Sequence, residues 1–199
     1  MVGCSAHMEL SKILMVLILF LIADTAVGSD SSRRTELKAF AQNEFKSSNN
    51  HCQSFAKVAE YATTLTISTS EFLEDMRLVI IGSDWSRKKD KRGDYYIGIV
   101  TSDSGFKPEL KDGSSQVEHL MAAIYFGKML PPGGAAIGGS LIEVRDQWKR
   151  NAHYSKQDAA LYMLGGDIGE RLHDRELKLI GTPIRRTICV LVQTKSDTA

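Results

Sequence analysis

One histidine interrupts a stretch of sequence that is otherwise suited to a protein core. Residues 112–130 read DGSSQVEHLMAAIYFGKML, and at helical spacing His119 shares a face with Ala122, Ala123 and Phe126. An imidazole in such a place can exchange protons near neutral pH, because its unperturbed pKa is about 6.5. The ordinary alternative is a packed histidine that only satisfies its hydrogen bonds inside the core.

Carboxylates on the next two helical segments could complete an acid–base site with this histidine. Asp158 is expected at the third position of a helix that follows Ser155, and Glu143 and Asp146 lie on the segment before it. A carboxylate beside an imidazole orients it and keeps it basic, while a second carboxylate can protonate a leaving group. The catalytic candidates are therefore His119 and Asp158, with Glu143 as a weaker third. The alternatives are a purely helix-stabilising Asp158 and solvated surface charges at Glu143 and Asp146.

Three glycines follow in the helix predicted after Ser155. Gly165, Gly166 and Gly169 lie close to Tyr162 along that helix. Each glycine costs about 1 kcal/mol relative to alanine inside a helix, so such a cluster needs a reason. It indicates either the close approach of another backbone or a binding groove formed by Tyr162, Gly165 and Gly169.

The strong motifs of several enzyme classes are absent from the sequence. It contains no His-Glu-x-x-His, no paired Cys-x-x-Cys, no Gly-x-Ser-x-Gly and no phosphate-binding Gly-x-x-x-x-Gly-Lys-Ser/Thr. This disfavours a standard zinc enzyme, serine hydrolase or nucleotidase. His153, Asp158 and His173 lie too far apart along the chain to share a metal ion, so we expect neither a metal nor a cofactor. With 25 basic and 24 acidic residues, the balanced charge argues against a nucleic-acid partner, and the sequence indicates no other partner.

The N-terminal region predicts export. Residues 13–23 form an apolar run without a charge, which at about 1.5 Å per residue covers only about half of a roughly 30 Å hydrocarbon layer. A basic residue before the run and Ala26-Val27-Gly28 after it are typical of a signal peptide. We expect residues 1–28 to be cleaved, whether translation starts at Met1 or Met8, leaving a secreted protein without a stable membrane span. An uncleaved N-terminal membrane anchor is the alternative.

Cleavage would leave two cysteines, Cys52 and Cys189. In an oxidising compartment they can form one disulfide that closes most of the mature chain. The chain-entropy model gives such a long loop about 4 to 5 kcal/mol of stabilisation. Two buried free thiols are the alternative.

The hydrophobic pattern predicts a mainly α protein, a single-domain helical bundle over residues 35–193. A polar leader at 29–34 precedes it and a short tail at 194–199 follows. Residues 83–113 are an excursion rich in Gly, Asp, Ser and Lys, which suggests a lid, a binding flap or a disordered insertion.

Two segments could add a short β-hairpin or strand pair to this bundle. Residues 95–100 have the aromatic and β-branched content of a strand. Residues 184–193 either pair with them or form a final helix after Pro183. Ser68 with Glu71, and Ser115 with Glu118, have the spacing of capping boxes at two helix starts.

From Gln116 to Arg171 the chain resembles helical modules of secreted and toxin-like proteins, including the polymorphic-toxin type 44 domain. The resemblance consists of a histidine in an apolar helix, a glycine-containing turn and a downstream Ser-x-x-Asp-x-x-x-Asn-x-x-Gly. The matching residues are His119, Ser155, Asp158 and Gly165, and Tyr162 stands at the asparagine position. The resemblance implies a secreted helical module of mostly unassigned activity.

Two functions are compatible with these features. A secreted binding or interaction module is favoured on sequence alone, because no reaction-specific motif is present. The alternative is a secreted hydrolase or toxin-like effector with a His119–Asp158 acid–base pair. The surroundings of the His119 ring discriminate between them, since the binding module predicts a sealed histidine and the hydrolase predicts contact with Asp158 in a concave site.

Overall fold

The computed structural model describes residues 31–83, 92–113, 115–140, 155–172 and 180–190. Several features named from the sequence lie outside these residues: the signal-peptide region 1–28, the tail 194–199, Glu143, Asp146, His153 and His173.

Helices dominate the described chain. They are α1 (Ser31–Ser47), α2 (His51–Leu65), α3 (Thr69–Ile80), a 3-10 turn (Pro108–Leu110), α4 (Gln116–Met129) and α5 (Lys156–Arg171). Residues 134–140 are also helical, and a helical turn at Gly181–Pro183 continues as a π-helix at Ile184–Ile188. The described ranges contain no strand, only an isolated antiparallel bridge between Phe106 and Cys189. The predicted mainly α, single-domain bundle is confirmed.

The helices pack on one hydrophobic core. Burial of a large apolar side chain contributes about 1.5–3 kcal/mol each, so this shared core is the main source of stability. Each helix and the 92–113 segment supply fully buried side chains, among them Leu37, Phe55, Phe72, Ile97, Phe106, Leu120 and Leu161. None of the helices in the described ranges is long and apolar enough to cross a membrane.

Helix α1 begins earlier than its hydrophobic pattern indicates. Residues 31–34, expected within a polar leader, form its first turn. The reason is Asp75, a fully buried carboxylate on α3 that accepts hydrogen bonds from Arg33 at 2.6 Å and Arg34 at 2.8 Å. A buried carboxylate without cations would be strongly destabilising, so these arginines belong to the fold.

Ser68 and Ser155 cap the N-termini of α3 and α5, where the sequence predicts helix starts. Ser68 Oγ accepts from the N–H of Glu71 at 3.2 Å, and Ser155 Oγ accepts from the N–H of Asp158 at 3.0 Å. The Glu71 carboxylate accepts from the N–H of Ile67 at 3.0 Å, one residue before the cap. Each serine therefore satisfies a backbone donor that the helix itself leaves open.

Residues 92–113 are a packed part of the molecule. Ile97 is 1% exposed and Phe106 is fully buried, and the N–H of Ile97 donates to the carbonyl of Val79 on α3 at 3.0 Å. A disordered insertion is therefore the wrong description of this part of the 83–113 excursion. Its contacts fix the residues that lead into α4.

The predicted disulfide between Cys52 and Cys189 is present, with Cα atoms 5.7 Å apart. Both residues are fully buried. The bridge joins the first turn of α2 to the end of the C-terminal helical segment.

The described part of the C-terminal segment takes the helical alternative. Residues 184–188 are π-helical, and residues 95–100 form no strand, so the predicted pairing of these two segments is wrong. The segment instead contacts a later part of the excursion, where the N–H of Val190 donates to the carbonyl of Gly105 at 2.9 Å.

Candidate active site

Helices α4 and α5 pack against each other in the same direction at very close range. A Cβ on Gly165 would lie 2.5 Å from the Cβ of Ala123, and a Cβ on Gly169 would overlap the carbonyl oxygen of Ile124. Glycine is required at position 169 because any larger residue would overlap the facing backbone of α4. The open groove expected at Gly165 and Gly169 is therefore wrong, because α4 fills that space. The other interpretation of these glycines, the close approach of another backbone, describes the structure.

The parallel packing brings the two principal catalytic candidates together. His119 lies in the first turns of α4, and Asp158 is the third residue of α5. His119 Nδ1 and Asp158 Oδ1 are 2.9 Å apart, a close ion-pair contact whose angle does not meet hydrogen-bond geometry. Both atoms are shielded from solvent.

The imidazole is not sealed in the core. The side chain of His119 is 23% exposed, whereas that of Asp158 is 6% exposed. Since Nδ1 itself is shielded, the exposed part of the side chain lies on atoms other than Nδ1. The imidazole is therefore both in close contact with a buried carboxylate and partly accessible to solvent.

The local sequence explains why the Asp158 carboxylate is available to His119. Ser155 Oγ accepts the backbone N–H of Asp158, which fixes the first turn of α5 from which the Asp158 side chain extends. The N-terminal turns of α4 and α5 lie at the same end of the pair, where the partial positive charge of helix N-termini stabilises an anion.

Tyr162 forms a wall beside this pair. Its ring centroid is 6.4 Å from that of His119, and the residue is 5% exposed. Gly139 packs directly on the Tyr162 ring, since a Cβ at that glycine would overlap it. Tyr162 is therefore next to the site, not part of an open groove.

Glu118 does not serve the capping box predicted from the sequence. Ser115 makes no side-chain cap to α4, because its hydroxyl is 2.6 Å from that of Thr101. The Glu118 carboxylate instead binds the Arg92 guanidinium through two hydrogen bonds of 2.7 and 3.2 Å. Arg92 also lies over the Tyr96 ring, 4.6 Å from its centroid.

The charge of Glu118 affects Tyr96, and its pairing with Arg92 limits what Glu118 can do beside His119. Burial, followed by the negative charge of Glu118, raises the pKa of Tyr96 above its ordinary value. Glu118 carries a bidentate cation partner, so it is not disposed to act as the second carboxylate beside His119. The further carboxylates proposed from the sequence, Glu143 and Asp146, lie outside the described residues.

A carboxylate that the sequence analysis missed lies near α5. Ser155 Oγ is 3.2 Å from Asp112 Oδ2. Asp112 is exposed and sits in the loop before α4. Nothing in its spacing could have revealed this contact, because the two residues are separated by 43 positions.

His51 offers a useful contrast. Its Nδ1 accepts the backbone N–H of Ser102 at 2.9 Å and lies 3.1 Å from the hydroxyl of the same serine. A backbone donor already occupies this nitrogen, so the ring is poorly placed to take the serine proton. Burial lowers the pKa of His51, although a hydrogen bond with the backbone of Phe45 opposes the shift. The role of His51 is to hold the 101–106 segment against α2.

No group of three or more His, Cys, Asp or Glu side chains in the described residues is arranged to hold a metal ion. No protein-family model, curated protein or solved structure matches this chain. The geometry of His119 and Asp158 therefore carries the functional proposal.

Proposed function

We propose that this protein is a secreted hydrolase of the toxin-like effector class, with His119 as its general acid–base residue and Asp158 as the carboxylate that orients it. The single observation that carries the proposal is the 2.9 Å contact between Nδ1 of His119, whose side chain is partly exposed, and Asp158 Oδ1. A non-catalytic binding module was favoured on sequence alone, and it requires a sealed histidine. The contact with Asp158 and the partial exposure of the His119 side chain support the hydrolase instead.

The chemistry follows from the two nitrogens of the ring. A negative charge 2.9 Å from Nδ1 favours the neutral tautomer that carries its proton on that nitrogen, and in this tautomer Nε2 carries the lone pair that would act as the base. Nε2 removes a proton from water while the water oxygen attacks the electrophilic atom of the substrate. As the bond to the leaving group breaks, the imidazolium returns the proton to it, so the ring ends the cycle neutral.

The proposed compartment agrees with the chemistry of the cysteines. A buried disulfide such as Cys52–Cys189 is typical of proteins that fold outside the reducing cytosol. We propose that residues 1–28 direct the chain there and are removed. N-terminal sequencing of the exported product should find a chain that begins near Ser29, and an intact Met1 in the membrane fraction would contradict this.

The test of activity uses a small panel of chromogenic substrates: p-nitrophenyl acetate, bis(p-nitrophenyl) phosphate and p-nitrophenyl N-acetyl-β-glucosaminide. The bond that is cleaved identifies the substrate class. General acid–base catalysis contributes about 10²- to 10⁴-fold, so His119→Gln should lower kcat/KM by at least about 100-fold with the fold retained. Asp158→Asn should cause a loss of similar order.

His51→Gln is the matched control, because it removes the other described imidazole without touching the α4–α5 pair. It should retain kcat/KM within about threefold at neutral pH, as expected for a residue without contact to the reacting atoms. If wild-type protein and His119→Gln are equally active or equally inactive on the panel, the hydrolase proposal fails. A binding module then becomes the better description.

A further inference from the structure

We infer that Asp112 is a positioning residue for the His119–Asp158 pair. It would hold Ser155, and through Ser155 the first turn of α5, so that the Asp158 carboxylate stays at His119 Nδ1. As a role in catalysis this inference rests on the proposed function, whereas its effect on the His119 ring can be measured without a substrate.

The hydrogen bonds of Ser155 show how Asp112 is connected to Asp158. Ser155 Oγ lies 3.0 Å from the N–H of Asp158 and 3.2 Å from Asp112 Oδ2. The backbone N–H can only donate, and an ionised carboxylate can only accept. The single hydroxyl proton of Ser155 therefore points to Asp112, which turns an oxygen lone pair toward the N–H of Asp158.

Asp112 is exposed, yet its neighbours are held on both sides. Leu110 is 1% exposed, and its carbonyl accepts from Gln116 Nε2 at 2.8 Å. On the other side, the N–H of Gly113 donates to Asp103 Oδ2 at 3.1 Å. A loop fixed in this way can hold a side chain at a set position against the N-terminus of α5.

Other carboxylates near the site are already engaged in ion pairs or contact the ring themselves. Glu118, which adjoins His119 on α4, is neutralised by Arg92. On α3, which also packs on α4, Glu74 pairs with Arg77 at 2.7 Å. Asp158 faces the ring directly. Among the described residues, Asp112 is the additional carboxylate joined by a hydrogen bond to the serine that caps α5.

The experiment measures the reactivity of His119 with diethyl pyrocarbonate as a function of pH, with modification located by peptide mass spectrometry. Asp112→Asn keeps the size and an acceptor oxygen but removes the charge. It should lower the pH midpoint of His119 modification by about 0.5 unit, because a less firmly held Ser155 lets the Asp158 carboxylate move away from Nδ1, and that negative charge favours the protonated ring. Asp112→Glu should restore the wild-type midpoint to within about 0.2 unit.

Glu109→Gln is the matched control, because it makes the same charge change on an exposed carboxylate of the same loop. It should leave the His119 profile at the wild-type position. Ser155→Ala should shift the profile, and the double variant Asp112→Asn/Ser155→Ala should shift it less than the two single changes added together, since both act through one hydroxyl.

The inference is overturned if Asp112→Asn matches Glu109→Gln, or if the double variant is additive. Thermal melting of each variant separates these effects from unfolding, and Asp112→Glu tests the role even if Asp112→Asn is poorly folded. Failure of the proposed function would look different. In that case His119→Gln would leave hydrolysis unchanged, while Asp112→Asn would still move the His119 profile and so support the positioning role.

Discussion

At the scale of single residues, the group facing Nδ1 distinguishes the two described histidines. His119 Nδ1 faces the Asp158 carboxylate, which favours a proton on the ring. His51 Nδ1 faces the backbone N–H of Ser102, which excludes one. The same kind of side chain therefore faces a negative charge in one place and a backbone hydrogen-bond donor in the other.

Mild acid should destabilise the protein through His51. The pKa of this ring lies below its ordinary value because burial outweighs the hydrogen bond with the backbone of Phe45. The unfolded ring titrates near about pH 6.5. As the pH falls below that value, the unfolded state takes up a proton that the folded state does not, so the free energy of unfolding decreases.

Urea unfolding between about pH 7.5 and pH 5 measures this decrease. The contribution of His51 is fully present above about pH 6.5 and is lost as the pH falls toward the lowered pKa of the folded ring. His51→Gln cannot titrate, so its unfolding free energy should fall less over this range. Identical pH dependence in the two proteins would show that His51 is not the responsible group.

Removing the charge of Asp75 should also be costly. Its carboxylate is fully buried between Arg33 and Arg34. Loss of one partner of a buried ion pair typically costs about 3–5 kcal/mol, so Asp75→Asn should lower the free energy of unfolding by about 3 kcal/mol. Asp167→Asn removes a carboxylate from an exposed pair with Arg171, and it should change stability by less than about 1 kcal/mol. Equal effects of the two changes would contradict the assignment of Arg33 and Arg34 to the fold.

At the scale of helices, the α4–α5 crossing tolerates no added side chain. A Cβ at Gly169 would overlap the Ile124 carbonyl, and backbone cannot move aside as a flexible side chain can. We expect Gly169→Ala to lower the free energy of unfolding by about 2–3 kcal/mol, as overpacked cores do. Gly138→Ala is the control, because its Cβ would lie 3.8 Å from Leu130 Cδ1, an ordinary contact.

In the helical 134–140 segment, alanine at position 138 should be neutral or stabilise by up to about 1 kcal/mol. Thermal and urea unfolding of the two variants compare them directly. If Gly169→Ala is as stable as Gly138→Ala, then α4 and α5 are not in close contact and the position of Asp158 beside His119 must be reconsidered.

The sequence predicted what depends on neighbours along the chain. Apolar spacing placed His119 and Asp158 near the starts of two helices, and the glycines of α5 indicated a close approach as one of two interpretations. Contacts between distant segments could not be predicted. Ser115 and Glu118 have the right spacing for a cap, but Thr101 and Arg92 provide better partners that only the folded chain brings near.

Asp112 could not be predicted from the sequence for the same reason, because its contact is with a distant segment. Its residue type and loop position are those of an ordinary solvated acid, and its relation to the site exists only because residues 92–113 pack against the start of α5. Charged residues that gain their role from a distant partner carry no local pattern in the sequence.

At the scale of the whole molecule, the disulfide connects the first turn of α2 to the end of the described chain. It closes a loop of 137 residues. It also lies beside the segment that leads toward Asp112, because the N–H of Cys52 donates to the carbonyl of Ser104 at 3.0 Å. The stability of the protein and the position of the loop before α4 therefore both depend on whether Cys52 and Cys189 are joined in a disulfide.

Replacing both cysteines should test this link. For a loop of 137 residues, the chain-entropy model gives a loss of about 5 kcal/mol for Cys52→Ala/Cys189→Ala. Because whole domains have only about 5–15 kcal/mol of stability, the variant should be close to unfolding at 37 °C. Wild-type protein that is reduced with a thiol while unfolded lacks the bridge but keeps both cysteine side chains. Its urea midpoint should match that of the double variant, which shows that the loss comes from the missing bridge and not from a packing defect of the alanines. If reduced wild-type protein keeps the oxidised midpoint, the bridge contributes little, and an oxidising compartment is not needed for this protein to fold.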